Sequence, residues 1–191
     1  MSSIDPVLRP ARREDAALIA RLVNRAAEGL PKLLWRDMAE AGEDPWDVGE
    51  RRAVSEDAAI SYRHTWIAEM DGQAAGCLIT HEIPANPNPI PEDELPMFIP
   101  LLELENEAPE TRYVYVLSTL KEMRGKGVGS TLLRHAEQFR GPKGMSLIVS
   151  DANLGARRLY ERHGYREANK RPMVKIGWDN PGEHWVLMTK L

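Results

Sequence analysis

A mixed α/β fold, of the α+β kind with a central and mostly antiparallel sheet flanked by helices, is what the sequence predicts, and three observations carry it. Strand-like and helix-like segments alternate along the chain. The dipeptide Asp71-Gly72 separates two apolar runs, and a strand–helix–strand–helix succession fills residues 113–164. The chain of 191 residues is 42% hydrophobic and 28% charged, the size and balance of one compact domain. That composition excludes disordered, collagen-like and fibrous classes.

Val7 to Pro10 reads as a short strand. Arg13-Glu14-Asp15 then opens a helix on which Leu18, Leu22, Ala26 and Leu30 recur at helical spacing, with acids near its positive end. Pro31 interrupts. Residues 32–64 read as two or three short helices, with starts at Asp44-Pro45 and Ser55-Glu56. Thr65 to Met70 and Gln73 to Thr80 flank Asp71-Gly72, whose tolerance of positive φ suits a two-residue hairpin. Between Ile83 and Thr111 the prolines 84, 87, 89 and 91 cannot donate backbone hydrogen bonds and forbid a central strand. Within that stretch Phe98 to Glu105 forms a short helix with Pro100 in its first turn.

Tyr113 to Thr119 is β-branched and aromatic, as a buried strand is, with Tyr113 and Tyr115 on one face and Val114 and Val116 on the other. Val128, Leu132, Leu133, Ala136 and Phe139 mark one face of a helix that stops at Gly141-Pro142. Met145 to Ser150 is a short apolar strand. Asn153 caps a second helix carrying Ala156, Leu159, Tyr160 and His163, and Gly164 ends it. Segments near Lys170 to Ile176 and His184 to Lys190 read as strands joined through Asp179 to Gly182. The expected organisation is one domain over residues 1–191, with a proline-rich acidic insertion at about 83–111.

Charge is distributed unevenly. The net charge of −4 disfavours a general nucleic-acid binder. From His64 to Thr111 there is no Lys or Arg but ten acids, and seven of the fourteen prolines fall between Pro84 and Pro109. The rest of the chain holds all 25 basic residues against 19 acids. Such a chain is suited to a cation at one end of its site and an anion at the other. The N-terminus, Met1 to Pro6, lacks the charged start and apolar run of a secretory signal, and no segment approaches a membrane span, so the expectation is a cytoplasmic protein with no membrane partner. A single cysteine, Cys77, rules out a disulfide framework. The histidines 64, 81, 135, 163 and 184 show no paired ligand spacing, so no metal is expected.

The informative stretch is Leu117-Ser118-Thr119 followed, after Leu120 to Met123, by Arg124-Gly125-Lys126-Gly127-Val128-Gly129-Ser130, between a strand and a helix. Three glycines in five positions leave backbone amides unshielded at a helix N-terminus, where the helix dipole favours an anion such as phosphate. The string is neither a P-loop nor a dinucleotide fingerprint. Gly-x-x-x-x-Gly-Lys-Ser/Thr is missing around Lys126, and Ser130 stands where the last glycine of Gly-x-Gly-x-x-Gly belongs.

Arg124-x-x-Gly127-x-Gly129 resembles the Arg/Gln-x-x-Gly-x-Gly/Ala signature of the GNAT superfamily of acyl-CoA-dependent N-acetyltransferases. A second string, Asn153-x-x-Ala156-x-x-Leu159-Tyr160-x-x-x-Gly164-Tyr165, is similar to that family's second hallmark, and the element order agrees over nearly the whole chain. The resemblance implies an acetyl-CoA-dependent enzyme that moves an acetyl group directly to a primary amine of a small molecule; the acidic stretch without Lys or Arg suits a cationic acceptor. Acetylation of a protein or peptide amine, transfer of another acyl group and a non-catalytic acyl-CoA-binding module are the alternatives. A monomer or homodimer is expected.

By that resemblance Leu117, Ser118 and Thr119 pair with the pantetheine arm along a strand splayed from its neighbour, and the amides from Arg124 through Ser130 surround the pyrophosphate. Arg124 and Lys126 complement its charge, Asn153 hydrogen-bonds the pantetheine amides, and Tyr160 approaches the sulfur. Many relatives have proline at the position of Lys121 and a small apolar residue at that of Leu120, a departure that bears on loop rigidity.

An amine attacks only when neutral, and a lysine-like amine has a pKa near ~10.4, so a base is expected. Glu103 and Glu105 are its candidates, a solvated acidic helix face being the other reading. Tyr160 is the candidate acid for the leaving thiolate, or a core aromatic of its helix. Tyr113 and Tyr115 line an acceptor pocket or pack in a half-buried strand. Trp35, Trp46 and Trp66 form either an aromatic wall or core, core being the stronger reading for Trp66.

Overall fold

The computed structural model describes residues 5–191, so the reading of Met1 to Ile4 as part of a leaderless start lies outside the described residues. Seven strands, β1 (Val7–Pro10), β2 (Thr65–Met70), β3 (Gln73–Glu82), β4 (Arg112–Thr119), β5 (Met145–Ser150), β6 (Arg166–Pro172) and β7 (His184–Lys190), are hydrogen-bonded in the order β1-β2-β3-β4-β5-β7-β6. β4 and β5 run parallel, while β1/β2, β2/β3, β5/β7 and β6/β7 are antiparallel, so the predicted mixed class holds. The helices are α1 (Ala16–Ala26), α2 (Leu30–Met38), α3 (Pro45–Val54), α4 (Ile99–Asn106), α5 (Val128–Ala136) and α6 (Leu154–Arg162). The chain divides into two compact units, Met1–Ile79 with Val116–Leu133, and Thr80–Tyr115 with Arg134–Leu191.

In the first unit the core gathers Ile19 and Leu22 of α1, Val48 of α3, Ile67 of β2, Cys77 and Ile79 of β3 and Val116 of β4. The buried stripe of α1 runs through Ala16, Ile19, Ala20, Leu22 and Val23, with Leu18 and Ala26 at its margin. Gly29, at φ 94, breaks the chain after α1, so Leu30 opens α2 and Pro31 sits in its first turn, where the missing N–H is no loss. Asp44 caps α3 as expected, accepting from Trp46 N at 2.9 Å. Ser55 starts nothing; its N–H ends α3 on the carbonyls of Arg51 and Arg52, and the next turn is a short 3-10 helix at Tyr62–His64. Trp35 packs flat over Gly49, where a Cβ would lie 2.5 Å from its ring, and Trp46 meets it edge-on at 6.0 Å. Trp35 is thus buried in the core, and Trp46 packs half-buried against it. Asp71 and Gly72 adopt φ 51 and 72, the pair of positive values a type I′ hairpin turn requires.

In the second unit, α4 buries Pro100 and Leu104. β5 and β7 pair over six residues, from Met145↔Lys190 to Ser150↔Trp185. The face predicted to end on Phe139 stops sooner. α5 closes at Ala136, a 3-10 turn over Glu137–Phe139 rotates the ring away, and Phe139 is 41% exposed, edge-on to His135. β6 begins at Arg166, four residues ahead of the expected Lys170. Its sequence, Arg-Glu-Ala-Asn-Lys-Arg-Pro, has no apolar alternation because β6 is the last strand of the sheet order, where charge and proline blunt an exposed edge.

Candidate functional site

The glycine-rich turn belongs to the first unit. β4 ends at Thr119, a 3-10 turn covers Lys121–Met123, and Gly125 and Gly127 take φ 76 and 85. A Cβ on either glycine would meet nothing within 4 Å, so it is the left-handed backbone that demands glycine, and the outer face of the turn is open. Arg124, Gly125, Lys126 and Gly127 are all exposed. The Gly127 carbonyl accepts from Thr131 N at 2.9 Å, which sets Gly127 immediately ahead of the first turn of α5. Val128 is buried, whereas Gly129 and Ser130 are half-buried. A helix start with glycines ahead of it and two cationic side chains beside it is chemically a phosphate cradle.

Ser118 supplies an independent test of what lies along β4. Its hydroxyl is buried, with the residue 3% exposed, and it has no hydrogen-bond partner among the described residues. Leaving such a group unpaired costs about 1–3 kcal/mol, which a ligand bearing amides would recover. Leu117 and Thr119 on either side are half-buried. Leu120, one of the departures noted above, packs against the core of this unit, and its N–H donates to Ala75 O at 2.8 Å, while Lys121 is exposed.

The remaining predicted residues belong to the second unit. Here β4 pairs with β5 through Arg112↔Met145 and Tyr113↔Ser146. Asn153 caps α6, its Oδ1 accepting from Ala156 N at 3.2 Å. Tyr160 is the buried residue of α6, its ring 6.0 Å from that of Tyr165, and burial pushes its phenol up to about 12. It is therefore a neutral hydrogen-bond donor throughout the physiological range.

The two candidate carboxylates separate cleanly. Glu103 accepts from Arg171 Nε at 3.0 Å, and the same guanidinium reaches Glu107, which also accepts from Asn169 Nδ2 at 2.6 Å. That cluster joins α4 to β6 and neutralises Glu103, a poor setting for a base. Glu105 instead lies 3.0 Å from His81 Nε2, at the end of β3. The imidazole sits 5.1 Å from the Tyr113 ring and 5.6 Å from the Tyr115 ring. Tyr113 is buried, and burial first, then the charge of Glu105 and the neighbouring Tyr115 and Tyr160 hydroxyls, raises its phenol well above the usual value. Tyr115 is 42% exposed, so the two-tyrosine face predicted for β4 exists, with one ring in and one out.

A second imidazole–carboxylate pair has a different character. Asp151 accepts from Glu183 N at 2.9 Å, His184 N at 3.1 Å and His184 Nδ1 at 3.2 Å. Burial opposes its ionisation, but these donors together outweigh it and hold the carboxyl below the usual range. It ties the loop ahead of β7. Cys77 is buried in β3 and its thiol is pushed up to about 12 by burial, which leaves it inert as a nucleophile. Among the described residues no group of three His, Cys, Asp or Glu side chains gathers at metal-binding distance. No helix of the described residues is long and apolar enough to cross a membrane.

His81 and Arg171 are the partners of the two candidate carboxylates that sequence reasoning missed. His81 stands 24 residues from Glu105, and its only sequence signal was a polar residue closing an apolar strand. Arg171 is 68 residues from Glu103, on an edge strand with no periodicity.

The profile of the acetyltransferase (GNAT) family matches residues 28–165. No curated protein matches the chain by sequence. Among solved structures, an N-acetyltransferase from Staphylococcus aureus Mu50 aligns with TM-score 0.63 at 20% identity, over 95% of this chain and 98% of that one. The histone acetyltransferase HPA2 and related acetyltransferase of Corynebacterium glutamicum aligns with TM-score 0.58 at 19% identity, over 97% and 95%. The ribosomal-protein-S18-alanine N-acetyltransferase of Escherichia coli aligns with TM-score 0.54 at 16% identity, over 96% and 92%. These likenesses are of fold.

Proposed function

Because the chain belongs to the acetyltransferase (GNAT) family, whose members use acetyl-CoA as co-substrate, we propose that it transfers an acetyl group from acetyl-CoA to a primary amine of a small, cationic molecule by direct attack. The observation that carries this reading is the open turn from Arg124 to Ser130, with left-handed Gly125 and Gly127 ahead of α5. In it the backbone amides hold the pyrophosphate, and Arg124 and Lys126 offset its charge. Leu117, Ser118 and Thr119 take the pantetheine arm, the unpartnered Ser118 hydroxyl finding its partner there. Asn153 hydrogen-bonds the pantetheine amides.

The chemistry follows from two proton affinities. The amine nitrogen attacks the thioester carbonyl carbon only once its lone pair is free, so its proton leaves toward the Glu105 side of the unit; Glu103 is held by Arg171. The tetrahedral adduct then breaks its C–S bond and expels a thiolate whose acid has a pKa of roughly 8.5 by analogy with cysteine. A phenol near 12 does not surrender its proton to such a thiolate, but it hydrogen-bonds it strongly. Tyr160 therefore stabilises the leaving sulfur as a donor, and the sulfur takes its proton from solvent. The stretch without Lys or Arg from His64 to Thr111 supports a cationic acceptor.

Calorimetric titration with CoA, and thiol release from acetyl-CoA with spermidine, tyramine, lysine methyl ester and an alanine-initiated peptide, test this reading. CoA binding with turnover fastest on one of the small amines is the expected result. Turnover on the peptide alone replaces the small acceptor by a protein, and CoA binding with no turnover on any amine replaces the enzyme by a binding module.

A further inference from the structure

Three features of the second unit converge on His81. Its Nε2 is 3.0 Å from a Glu105 oxygen, and an ionised carboxylate only accepts, so Nε2 carries the hydrogen and Nδ1 is left with the lone pair. The imidazole side chain is 41% exposed while that of Glu105 is 22% exposed, so the outer member of the pair is the ring and the carboxylate stands behind it. Tyr113 and Tyr115 flank the ring from β4, and Tyr113 also responds to Tyr160, which sets the pair in the same electrostatic neighbourhood as the proposed thiolate donor. The other imidazole–carboxylate pair does not share this arrangement. Both Asp151 oxygens are occupied by backbone N–H groups, and a Cβ on Gly182 would lie 2.9 Å from Asp151 Oδ1 and 2.3 Å from Ser150 Oγ, so that pair is packed into its loop.

We infer that His81, oriented by Glu105, takes the proton from the acceptor amine. The inference rests on the acetyl-transfer reading above and names its base. As the amine nitrogen bonds to the acetyl carbon, one N–H proton passes to Nδ1 of His81, and the imidazolium so formed is held by the Glu105 carboxylate at Nε2–H. The C–S electron pair leaves on sulfur, which is protonated from solvent while the imidazolium returns its proton to solvent. Counted from the neutral amine the sum is amide plus free thiol; counted from its ammonium form one further proton goes to solvent, and no electron is left over. Glu105 acts through His81 and is a positioning residue. The charged and titratable groups facing the imidazole are Glu105 from α4 and Tyr113 and Tyr115 from β4. A free imidazole titrates near ~6.5, so a base of this kind works at neutral pH where a bare carboxylate is too weak.

The experiment compares the wild-type chain with His81→Gln, Glu105→Gln and Glu105→Asp between pH 6 and 10, reading thiol release from acetyl-CoA with the amine of the panel that reacts fastest. His81→Gln is expected to lower kcat roughly 100-fold, abolish the kcat limb in the imidazole range, and leave calorimetric CoA binding within about threefold. Glu105→Gln is expected to lower kcat roughly tenfold with CoA binding unchanged, because the ring loses the charged acceptor that orients its Nε2–H, and Glu105→Asp to restore part of it. Wild-type kcat and an unchanged limb in His81→Gln overturn the inference. If that variant does not fold, wild-type kcat in Glu105→Gln overturns it instead. Wild-type protein that acetylates none of the amines overturns the acetyl-transfer reading itself, and the base assignment with it, so the two failures are told apart by the wild-type measurement.

Discussion

The Cα of Gly76 in β3 lies so close to the carbonyl oxygen of Ser118 in β4 that a Cβ on it would stand 2.4 Å from that oxygen and 3.1 Å from Val128 Cγ1 at the start of α5. The backbone of the segment proposed to pair with pantetheine and the start of the helix behind the proposed phosphate turn are thus seated on one residue without a side chain. Gly76→Ala must push β4 or Val128 aside. It is expected to destabilise the protein by roughly 1–3 kcal/mol and to weaken CoA binding together with it. Urea unfolding and calorimetry read both, and a wild-type midpoint would show that β4 yields freely.

Gly127→Glu places a side chain where φ is 85 and a carboxylate where the pyrophosphate is proposed to sit. Strain and like-charge repulsion act in the same direction. Loss of measurable CoA binding with a folded far-UV spectrum is the expected outcome; unchanged affinity by calorimetry would remove the phosphate from this turn.

Tyr160→Phe deletes one hydroxyl from a buried ring whose packing against Tyr165 remains. If the phenol stabilises the leaving sulfur, kcat falls on the order of 100-fold, as for one lost donor to a developing anion, while the acetyl-CoA KM moves little. A fall confined to KM would make Tyr160 a binding group only.

Arg171 gives Glu103 and Glu105 different fates. Glu103→Gln breaks one arm of a half-exposed ion-pair cluster, worth about 0–1 kcal/mol of stability, and its effect on kcat is expected to be much smaller than that of Glu105→Gln. Equal losses of kcat in the two variants would contradict the assignment of the proton path to Glu105.

Asp151 ties pH to stability through the loop ahead of β7. Its folded carboxyl lies below the unfolded value of ~3.9, so the folded state binds fewer protons there. Its contribution is present above that unfolded value and is lost as pH falls through the folded one. Asp151→Asn is therefore expected to lower the melting temperature at pH 7 and to show a shrinking deficit below pH 4. A deficit that stays constant down to pH 2 would mean that charge is not what Asp151 contributes.

Local chemistry alone placed β1, the Asp71-Gly72 hairpin, β5, β7, the Asn153 cap and the glycine-rich helix start, because each is specified by residues within one or two turns of one another. The expectation of an anion at that helix start followed from the same short-range logic, since an anion cradle is built from consecutive backbone amides, whereas the co-substrate came from the resemblance of its residues to a family signature. What local reading misplaced were features with no short-range signal: the start of β6 on a polar edge strand, the exposure of Phe139 after α5 tightens into a 3-10 turn, and Ser55 as the end of α3. Which of the two candidate acids is paired with an arginine and which meets an imidazole was beyond the sequence altogether. Glu103 and Glu105 are two positions apart, and only folding sets one against Arg171 and the other against His81. Side-chain pairing across such separations depends on where helix and strand faces meet in space, and no spacing along the chain encodes that.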